Sequence, residues 1–357
     1  MASGRTPSPI GVLILTLVLL PSHVRSTPAV EDTREALIAR AQVWMPTDIP
    51  NMDIKTGPGG RVAFPFHATV TCKYLDKKLS GLSPKFACVI GNEDEVKVKY
   101  GGTNGEVYAE VAATRLLWAL GFGADRMYPV RVICRGCPST LHGTLRKDTG
   151  EYVFDPAAIE RKMPGVERTP NEGWSWKELD IVDESVGTSR THRDALKLMA
   201  VFLQHTDTKP QQQRLLCLGK PQGEAPTTCA HPFMMINDLG LTFGRANILN
   251  RNSTGGMNLT EWSRTPVWKD PAKCIGNLGK SFTGTLEHPV ITEAGRQFLS
   301  DLLAQLSDQQ IYDLFATARV TLRVRTPGDA HSGFPTVDEW VQVFKNKREQ
   351  IVNHRCA

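Results

Sequence analysis

The feature that most constrains the fold is a change of hydrophobic period near the middle of the chain. Between residues 61 and 165, short apolar runs are separated by Gly, Asn, Asp and Ser, which is typical of strands joined by turns. After residue 166 the apolar residues recur at helical spacing, as in 192–205 and 336–352. Strands followed by helices predict an α+β protein with a small antiparallel sheet and a mostly helical second part.

One segment inside the first part has helical rather than strand periodicity. Apolar residues in 105–122 recur every three or four positions, and Gly121 can end the helix. We therefore predict two lobes, an N-lobe at 61–165 containing one helix and a helical C-lobe at 166–357. Two lobes create a cleft, and clefts are where small ligands bind.

The N-terminus predicts export. Residues 1–26 contain one early Arg, a short apolar run and small residues after it, which is typical of a signal peptide. An uncleaved membrane anchor is the alternative, although the run is short for a span. Residues 27–60 predict a helix and a linker arm. The mature chain is then expected in the periplasm or secreted, without a stable membrane span.

The eight cysteines all follow the predicted signal peptide. An even number in an exported protein favours disulfides. The Cys134–Cys137 spacing is also that of a redox motif or half a zinc site, but no second such pair completes a zinc site. Spacing along the chain favours three near pairs, Cys72 with Cys88, Cys134 with Cys137 and Cys217 with Cys229. Cys274 and Cys356 are left over and would attach the C-terminal tail, and the sequence leaves the connectivity open.

A glycine turn in the N-lobe is the first of four features expected in a phosphoryl-transfer cleft. Ser80, Gly81 and Ser83 lie between two predicted strands and can offer hydroxyl and backbone N–H groups to phosphates. Lys85 adds a positive charge. A plain hairpin turn has the same composition.

The next strand and helix supply a lysine and a glutamate. Lys97 and Lys99 share one face of the strand, and Glu110 on the following helix can hold either amine toward phosphates. Glu106, one turn earlier, competes for that role. The sequence leaves both choices open.

A polar segment, HTDTKPQQQ, separates two apolar runs in the C-lobe. Asp207 is placed to orient an acceptor hydroxyl, with Lys209 beside it and Gln212 five residues later. Asp238 follows an apolar strand 31 residues after Asp207, where a carboxylate can hold a metal ion. Alternatively, the segment is a polar turn at the end of a helix, without a catalytic role.

The order of these motifs resembles the atypical protein and lipid kinases. The HipA-like kinases are the nearest type, with kinship to phosphatidylinositol kinases and secretory-pathway kinases. The resemblance covers about residues 70–245, and Gln212 stands where the common pattern has Asn. It implies a two-lobed kinase-like fold, ATP with Mg²⁺ or Mn²⁺, Asp207 and Lys209 as catalytic residues, and Gln212 and Asp238 as metal ligands.

The sequence therefore predicts an exported kinase-like phosphotransferase that moves the γ-phosphoryl group of ATP. Its acceptor, whether protein, lipid, sugar or small molecule, is left open. The alternatives are a kinase-shaped scaffold without catalysis and an AMP transferase on the same fold. The net charge of +5 is spread along the chain without a Lys/Arg block, so no nucleic-acid partner is expected.

Overall fold

The computed structural model describes residues 1–2, 4, 32–138, 149–219, 228–245, 255–323 and 335–356. The predicted signal peptide lies almost entirely outside these residues. The chain contains both helices and strands. The α-helices are α1 Arg34–Ala39, α2 Glu106–Ala119, α3 Arg190–Leu203, α4 Leu259–Arg264, α5 Glu293–Ala304, α6 Asp308–Thr317 and α7 Val337–Val352. The strands are β1 Thr69–Leu75, β2 Lys85–Ile90, β3 Asp94–Tyr100, β4 Arg126–Pro138, β5 Thr149–Arg161, β6 Val166–Glu167, β7 Gln213–Cys217, β8 Pro232–Ile236, β9 Trp268–Asp270 and β10 Ile275–Gly276.

The first five strands form a closed barrel rather than a simple antiparallel sheet. Their order is β1-β2-β3-β5-β4, and the pairs β1–β2, β2–β3, β3–β5 and β4–β5 are antiparallel as predicted. The antiparallel expectation is wrong for β1 and β4, which run parallel and close the sheet. The closure is possible because β4 comes after α2, so the chain crosses over and returns beside β1 in the same direction.

Helix α2 packs between the barrel and α6. It begins where the Asn104 side chain accepts the Glu106 N–H at 3.2 Å, and nearly all its side chains are buried. It contacts β4 and β5 on the barrel side and α6 on the other side. Burial on all faces is expected of a helix held between two layers, and it fixes the Glu106 and Glu110 side chains in place.

Residues 32–58 run across both parts of the molecule. Gln42 pairs with β8 through its backbone N–H and carbonyl, and the Trp44 indole donates to the Leu120 carbonyl at 2.8 Å. Further on, the Arg115 guanidinium of α2 donates to the Ile54 carbonyl at 2.7 Å. These hydrogen bonds attach the segment predicted as an arm to the strands and helices behind the barrel.

The C-terminal part is built from packed helices and a three-stranded sheet. Helix α3 packs on α5, and α7 packs on α5 and α6, while β7 lies between β6 and β8. Aromatic rings fill the interior at centroid distances of 5.0 to 6.1 Å, as expected for well-packed aromatic pairs. The rings belong to Phe202, Phe243, Trp262, Phe315, Trp340 and Phe344.

The eight cysteines form four disulfides: Cys72–Cys88, Cys134–Cys137, Cys217–Cys229 and Cys274–Cys356. The first three are the near pairs that spacing favoured, and the fourth joins the two cysteines that remained. Four disulfides fit an oxidising, extracytoplasmic compartment. In the part of the chain that the structure describes, no helix is long and apolar enough to cross a membrane.

Removal of the Cys274–Cys356 disulfide is expected to lower the free energy of unfolding by about 4 kcal/mol, because it closes a long loop. Its cysteines are 82 residues apart, whereas Cys134 and Cys137 are 3 apart. By the same loop rule, replacing both cysteines of the shorter pair with Ser should lower the free energy of unfolding by only about 1.5 kcal/mol. Urea unfolding of both double variants measures the difference, and equal losses would contradict the loop argument.

Candidate active site

A cavity of about 1140 Å³ lies between the barrel and the C-terminal part. Ten residues predicted from the sequence as site residues line it, and the eleventh, Glu110, lies beneath it against Lys99. The ten are Ser80, Gly81, Ser83, Lys85, Lys97, Lys99, Asp207, Lys209, Gln212 and Asp238.

Lys99 is the buried cation of the site. Its Nζ donates to Glu110 Oε1 at 2.7 Å and to Glu106 Oε2 at 2.6 Å, and it lies 4.0 Å from Asp238 Oδ1. Burial lowers the pKa of Lys99, but the carboxylates of Asp238, Glu110 and Glu106 outweigh it and hold the pKa well above its usual value. Lys99 is therefore charged, and both candidate glutamates contact it.

Lys97 has a different partner. It lies opposite Glu160 in the β3–β5 register and forms an ion pair with that carboxylate. Lys97 lines the cavity, but its ion pair with Glu160 holds its amine against β5. The buried amine among the acidic residues is that of Lys99.

The variant Lys99→Met is expected to lower the free energy of unfolding by about 3–5 kcal/mol, because Glu110 and Asp238 lose their buried cation. Lys97→Met is the matched control on the same strand, and we expect a loss of about 1 kcal/mol from its cross-strand pair. Urea unfolding at neutral pH measures both. Equal effects would mean that the acidic cluster does not depend on Lys99.

The glycine turn, residues 80–83, is hydrogen-bonded to α2. The Ser83 hydroxyl donates to Glu106 Oε2 at 2.7 Å, and Lys85 Nζ donates to Ser83 Oγ at 3.4 Å. Gly81 has φ +87°, and a Cβ there would lie 2.7 Å from Lys85 Nζ. A side chain at Gly81 would therefore be strained and would crowd the amine that faces the cavity.

The segment after α3 positions Asp207. Helix α3 ends at Leu203, and the left-handed Gln204 turns the chain. Asp207 Oδ2 then accepts hydrogen bonds from Lys209 Nζ at 3.1 Å and from Gln212 Nε2 at 3.0 Å. The polar segment is thus a loop whose carboxylate points into the cavity, held by two donors.

Gln212 connects the two acidic positions. Its side-chain amide donates to Asp207, and its backbone carbonyl accepts the N–H of Asn237 at 2.8 Å and that of Asp238 at 3.4 Å. These contacts make Gln212 a residue that positions Asp207. The predicted role of Gln212 as a metal ligand stays a prediction.

Three carboxylates meet around Lys99. Glu106, Glu110 and Asp238 each offer an oxygen atom within 4.8 Å of the others. Burial and the neighbouring carboxylates raise the pKa of Glu110 well above its usual value, although Lys99 opposes the shift. Lys99 nevertheless holds the pKa of Asp238 well below its usual range despite burial.

Hard oxygen ligands and a surplus of negative charge are what Mg²⁺ and Mn²⁺ require. The cluster therefore fits a divalent cation through Asp238 and Glu106. The sequence identified Glu106 only as a rival partner for lysine. Its spacing of four residues from Glu110 places both carboxylates on one helix face, and that signal could have identified the pair.

His205 lies directly below the loop. It is fully buried, and burial lowers its pKa to about 4 although Asp207 and Asp238 oppose the shift. The imidazole is therefore neutral at physiological pH, and its ring lies 6.3 Å from that of Trp176.

The end of the cavity next to β6 and β7 is polar, which the sequence did not predict. Arg214 Nη2 lies 2.9 Å from Asp125 Oδ2, and the same guanidinium donates to the Asn237 side chain. Burial raises the pKa of Asp125 to about 6, while Arg214 opposes the shift. Both carboxylate oxygens of Asp125 face the Arg214 guanidinium, which favours the ionised form of Asp125. This pair fixes the residue that precedes Asp238.

Comparisons with known proteins leave the chain without a family. No family model matches it, and no curated protein matches it. Among solved structures, the crystal structure of a Helicobacter pylori proinflammatory kinase, CtkA, is similar with a TM-score of 0.42 and 11% sequence identity. The overlap covers 82% of this chain and 95% of that chain.

Proposed function

We propose that this chain is an ATP-dependent phosphotransferase with a kinase-like two-lobed fold that uses Mg²⁺ or Mn²⁺. The observation that carries the proposal is the meeting of Lys99, Asp207 and Asp238 at one cavity between the barrel and the helical part. Phosphoryl transfer needs a cation for the phosphates, a carboxylate for the metal and a carboxylate at the acceptor hydroxyl. All three lie in one cavity.

Each residue has a role in this proposal. Lys99, fixed by Glu110, contacts the nucleotide phosphates, and the turn containing Ser80, Gly81 and Ser83 covers them. Asp238 and Glu106 hold the divalent cation, which when bound offsets the charge of the phosphate oxygens. The acceptor oxygen forms a bond to the γ-phosphorus, the bond from that phosphorus to the bridging oxygen of ADP breaks, and Asp207 accepts the hydroxyl proton.

Gln212 and Lys209 orient Asp207 in this mechanism. A carboxylate that accepts two hydrogen bonds has a defined direction, and a catalytic residue must be held in a productive geometry. Lys209 also brings a positive charge next to the transferred group. The Gln212 side chain therefore serves the reaction without being a metal ligand.

Labelled ATP with Mg²⁺ or Mn²⁺ tests the proposal. A phosphotransferase transfers the label from the γ-position and not from the α-position, whereas transfer of AMP gives the opposite result. If nucleotide raises the melting temperature but neither label is transferred, the result would favour a kinase-shaped scaffold without catalysis. Absence of both binding and turnover with either metal would exclude the proposed function.

A further inference from the structure

The loop that carries Asp207 lies against a second segment, residues 281–286, which we call the strap. The strap follows β10 along the chain and precedes α5. Among the described residues that line the candidate active site, none belongs to the strap. It contacts the loop instead through hydrogen bonds to the two residues that flank Asp207.

Both neighbours of Asp207 are bonded to the strap through their backbone carbonyls. The Ser281 N–H donates to the Thr206 carbonyl at 3.1 Å, and the Thr285 N–H donates to the Thr208 carbonyl at 3.1 Å. These distances are those of ordinary protein hydrogen bonds. The backbone on each side of the carboxylate is therefore held by the same short segment.

The Thr208 side chain makes a further set of bonds to the strap. It is fully buried, and its Oγ1 accepts the N–H groups of Thr285 and Leu286, each at 3.2 Å. In the opposite direction, the Thr285 hydroxyl donates to the Thr208 carbonyl at 2.8 Å and accepts the Trp176 N–H at 3.1 Å. Thr208 is therefore bonded through both its side chain and its backbone, and the strap is itself anchored to the 3₁₀ helix Trp176–Ile181.

The strap approaches Thr208 so closely that a side chain is excluded at Gly284. A Cβ at this position would lie 2.8 Å from Thr208 Oγ1 and 2.9 Å from Lys280 Cβ. Atoms that are not bonded do not come this close without displacement, which is why glycine serves where two segments approach each other. A side chain at residue 284 would push the strap and the loop apart.

These bonds act on the backbone of Asp207, which the side chains of Lys209 and Gln212 do not hold. Those two side chains fix the direction of the carboxylate, but its position also depends on the backbone that carries it. Thr208 is the next residue along the chain, and Lys209 follows it. A shift of Thr208 would therefore displace Asp207 together with one of its donors, and a displacement on the order of 1 Å at a catalytic group can lower a rate about 10²-fold.

We propose that the strap positions the catalytic carboxylate, and that Thr208 is a positioning residue whose hydroxyl joins the loop to the strap. This inference rests on the proposed function, because Asp207 accepts the proton of an acceptor hydroxyl only in that reaction. Thr208 is fully buried and is not part of the cavity lining, so it acts through the backbone of Asp207.

Thr208→Val tests the inference, because it removes the hydroxyl and nearly keeps the shape of the side chain. The Leu286 N–H then loses this acceptor, and the Thr285 N–H keeps only the Thr208 carbonyl. We expect kcat for transfer of the γ-label to fall about tenfold to 10²-fold. KM for ATP should stay the same, because Lys99 and Asp238 are intact. Thr208→Ser keeps the hydroxyl and should restore most of kcat.

Thr292→Val is the matched control for a loss of stability alone. The Thr292 hydroxyl donates to Asp194 at 2.7 Å and accepts the Gly295 N–H at 3.3 Å, in a contact between α3 and α5. This variant should lower the melting temperature without changing kcat, when all variants are assayed below their melting temperatures. If kcat falls equally in Thr208→Val and Thr292→Val, or if Thr208→Ser does not restore it, Thr208 has only a structural role and the inference is overturned.

Amide hydrogen exchange separates the contact from the reaction, because it reports local opening of the chain without any substrate. In the full chain without nucleotide, Thr208→Val should speed exchange in residues 205–212 about fivefold, as expected for the loss of one buried hydrogen bond. Unchanged exchange would overturn the inference. Faster exchange with unchanged kcat would also overturn it and leave the phosphotransferase standing. Absence of ATP turnover in the parent chain would reject the proposed function, and with it the catalytic role of the strap.

Discussion

The variant Asp207→Asn is expected to reduce phosphoryl transfer by about 10²–10⁴-fold, because the amide cannot accept the proton of the acceptor hydroxyl. Asn is nearly isosteric with Asp, so the cavity keeps its shape. Lys209 and Gln212 lose the charged acceptor of their hydrogen bonds, but neither is buried in the core. The affinity for nucleotide should therefore change little, since Lys99 and Asp238 are intact.

Transfer of the γ-label and nucleotide-dependent thermal shift, measured on the same preparation, test this expectation. Asp338→Asn, an exposed carboxylate near the start of α7, is the matched control and should keep full activity. Loss of nucleotide binding together with activity would assign Asp207 to the nucleotide rather than to the acceptor. Full activity of Asp207→Asn would remove Asp207 from the mechanism.

Gln212→Ala extends the same argument to a residue that acts through Asp207. Removal of the amide leaves the carboxylate with a single side-chain donor, so its direction is less fixed. We expect kcat to fall about tenfold through misplacement of the carboxylate. KM for ATP should stay the same, and Gln212→Glu should not restore kcat because a carboxylate cannot donate to Asp207.

Local patterns in the sequence were sufficient to predict which residues lie together in much of the candidate site. Alternation along β3 placed Lys97 and Lys99 on one face, and the helical period of the next segment placed Glu110 near them. These residues lie within a few positions of one another, so local geometry determines their relative directions. The same applies to Asp207 and Gln212, which belong to one loop.

The features of the fold and candidate site that the sequence did not predict depend on contacts between distant segments. Lys99 rather than Lys97 contacts the glutamates of α2, because Lys97 pairs with Glu160 across the strands. That pairing depends on the register between β3 and β5, which the sequence does not specify. The parallel closure of β1 on β4 likewise appears only once the barrel forms. Thr208 and Thr285 are 77 residues apart, and no periodicity links them. The direction of the Gln212 amide depends on a rotamer that the sequence does not specify.

Under the proposed function, the variant Asp238→Asn is expected to abolish metal-dependent nucleotide binding and to lower phosphoryl transfer by about 10³-fold or more, because the proposed metal ligand loses its charge. The residual cluster of Glu106 and Glu110 is still opposed by Lys99. It therefore has too little free negative charge to hold a divalent cation. Binding of Mn²⁺ to the protein with and without nucleotide, followed by electron paramagnetic resonance, measures the loss directly.

A pair of further variants decides which residue accompanies Asp238. Glu106→Gln should weaken Mn²⁺ binding about tenfold or more, because a carboxylate ligand becomes an amide. Gln212→Ala should leave it unchanged, because the Gln212 side chain faces Asp207. The opposite result would support Gln212 as a metal ligand, which is the role that its position after Asp207 predicted. Glu106 and Gln212 belong to different parts of the molecule, so the outcome also shows whether the cation joins α2 to Asp238 or lies wholly among the loops of the helical part.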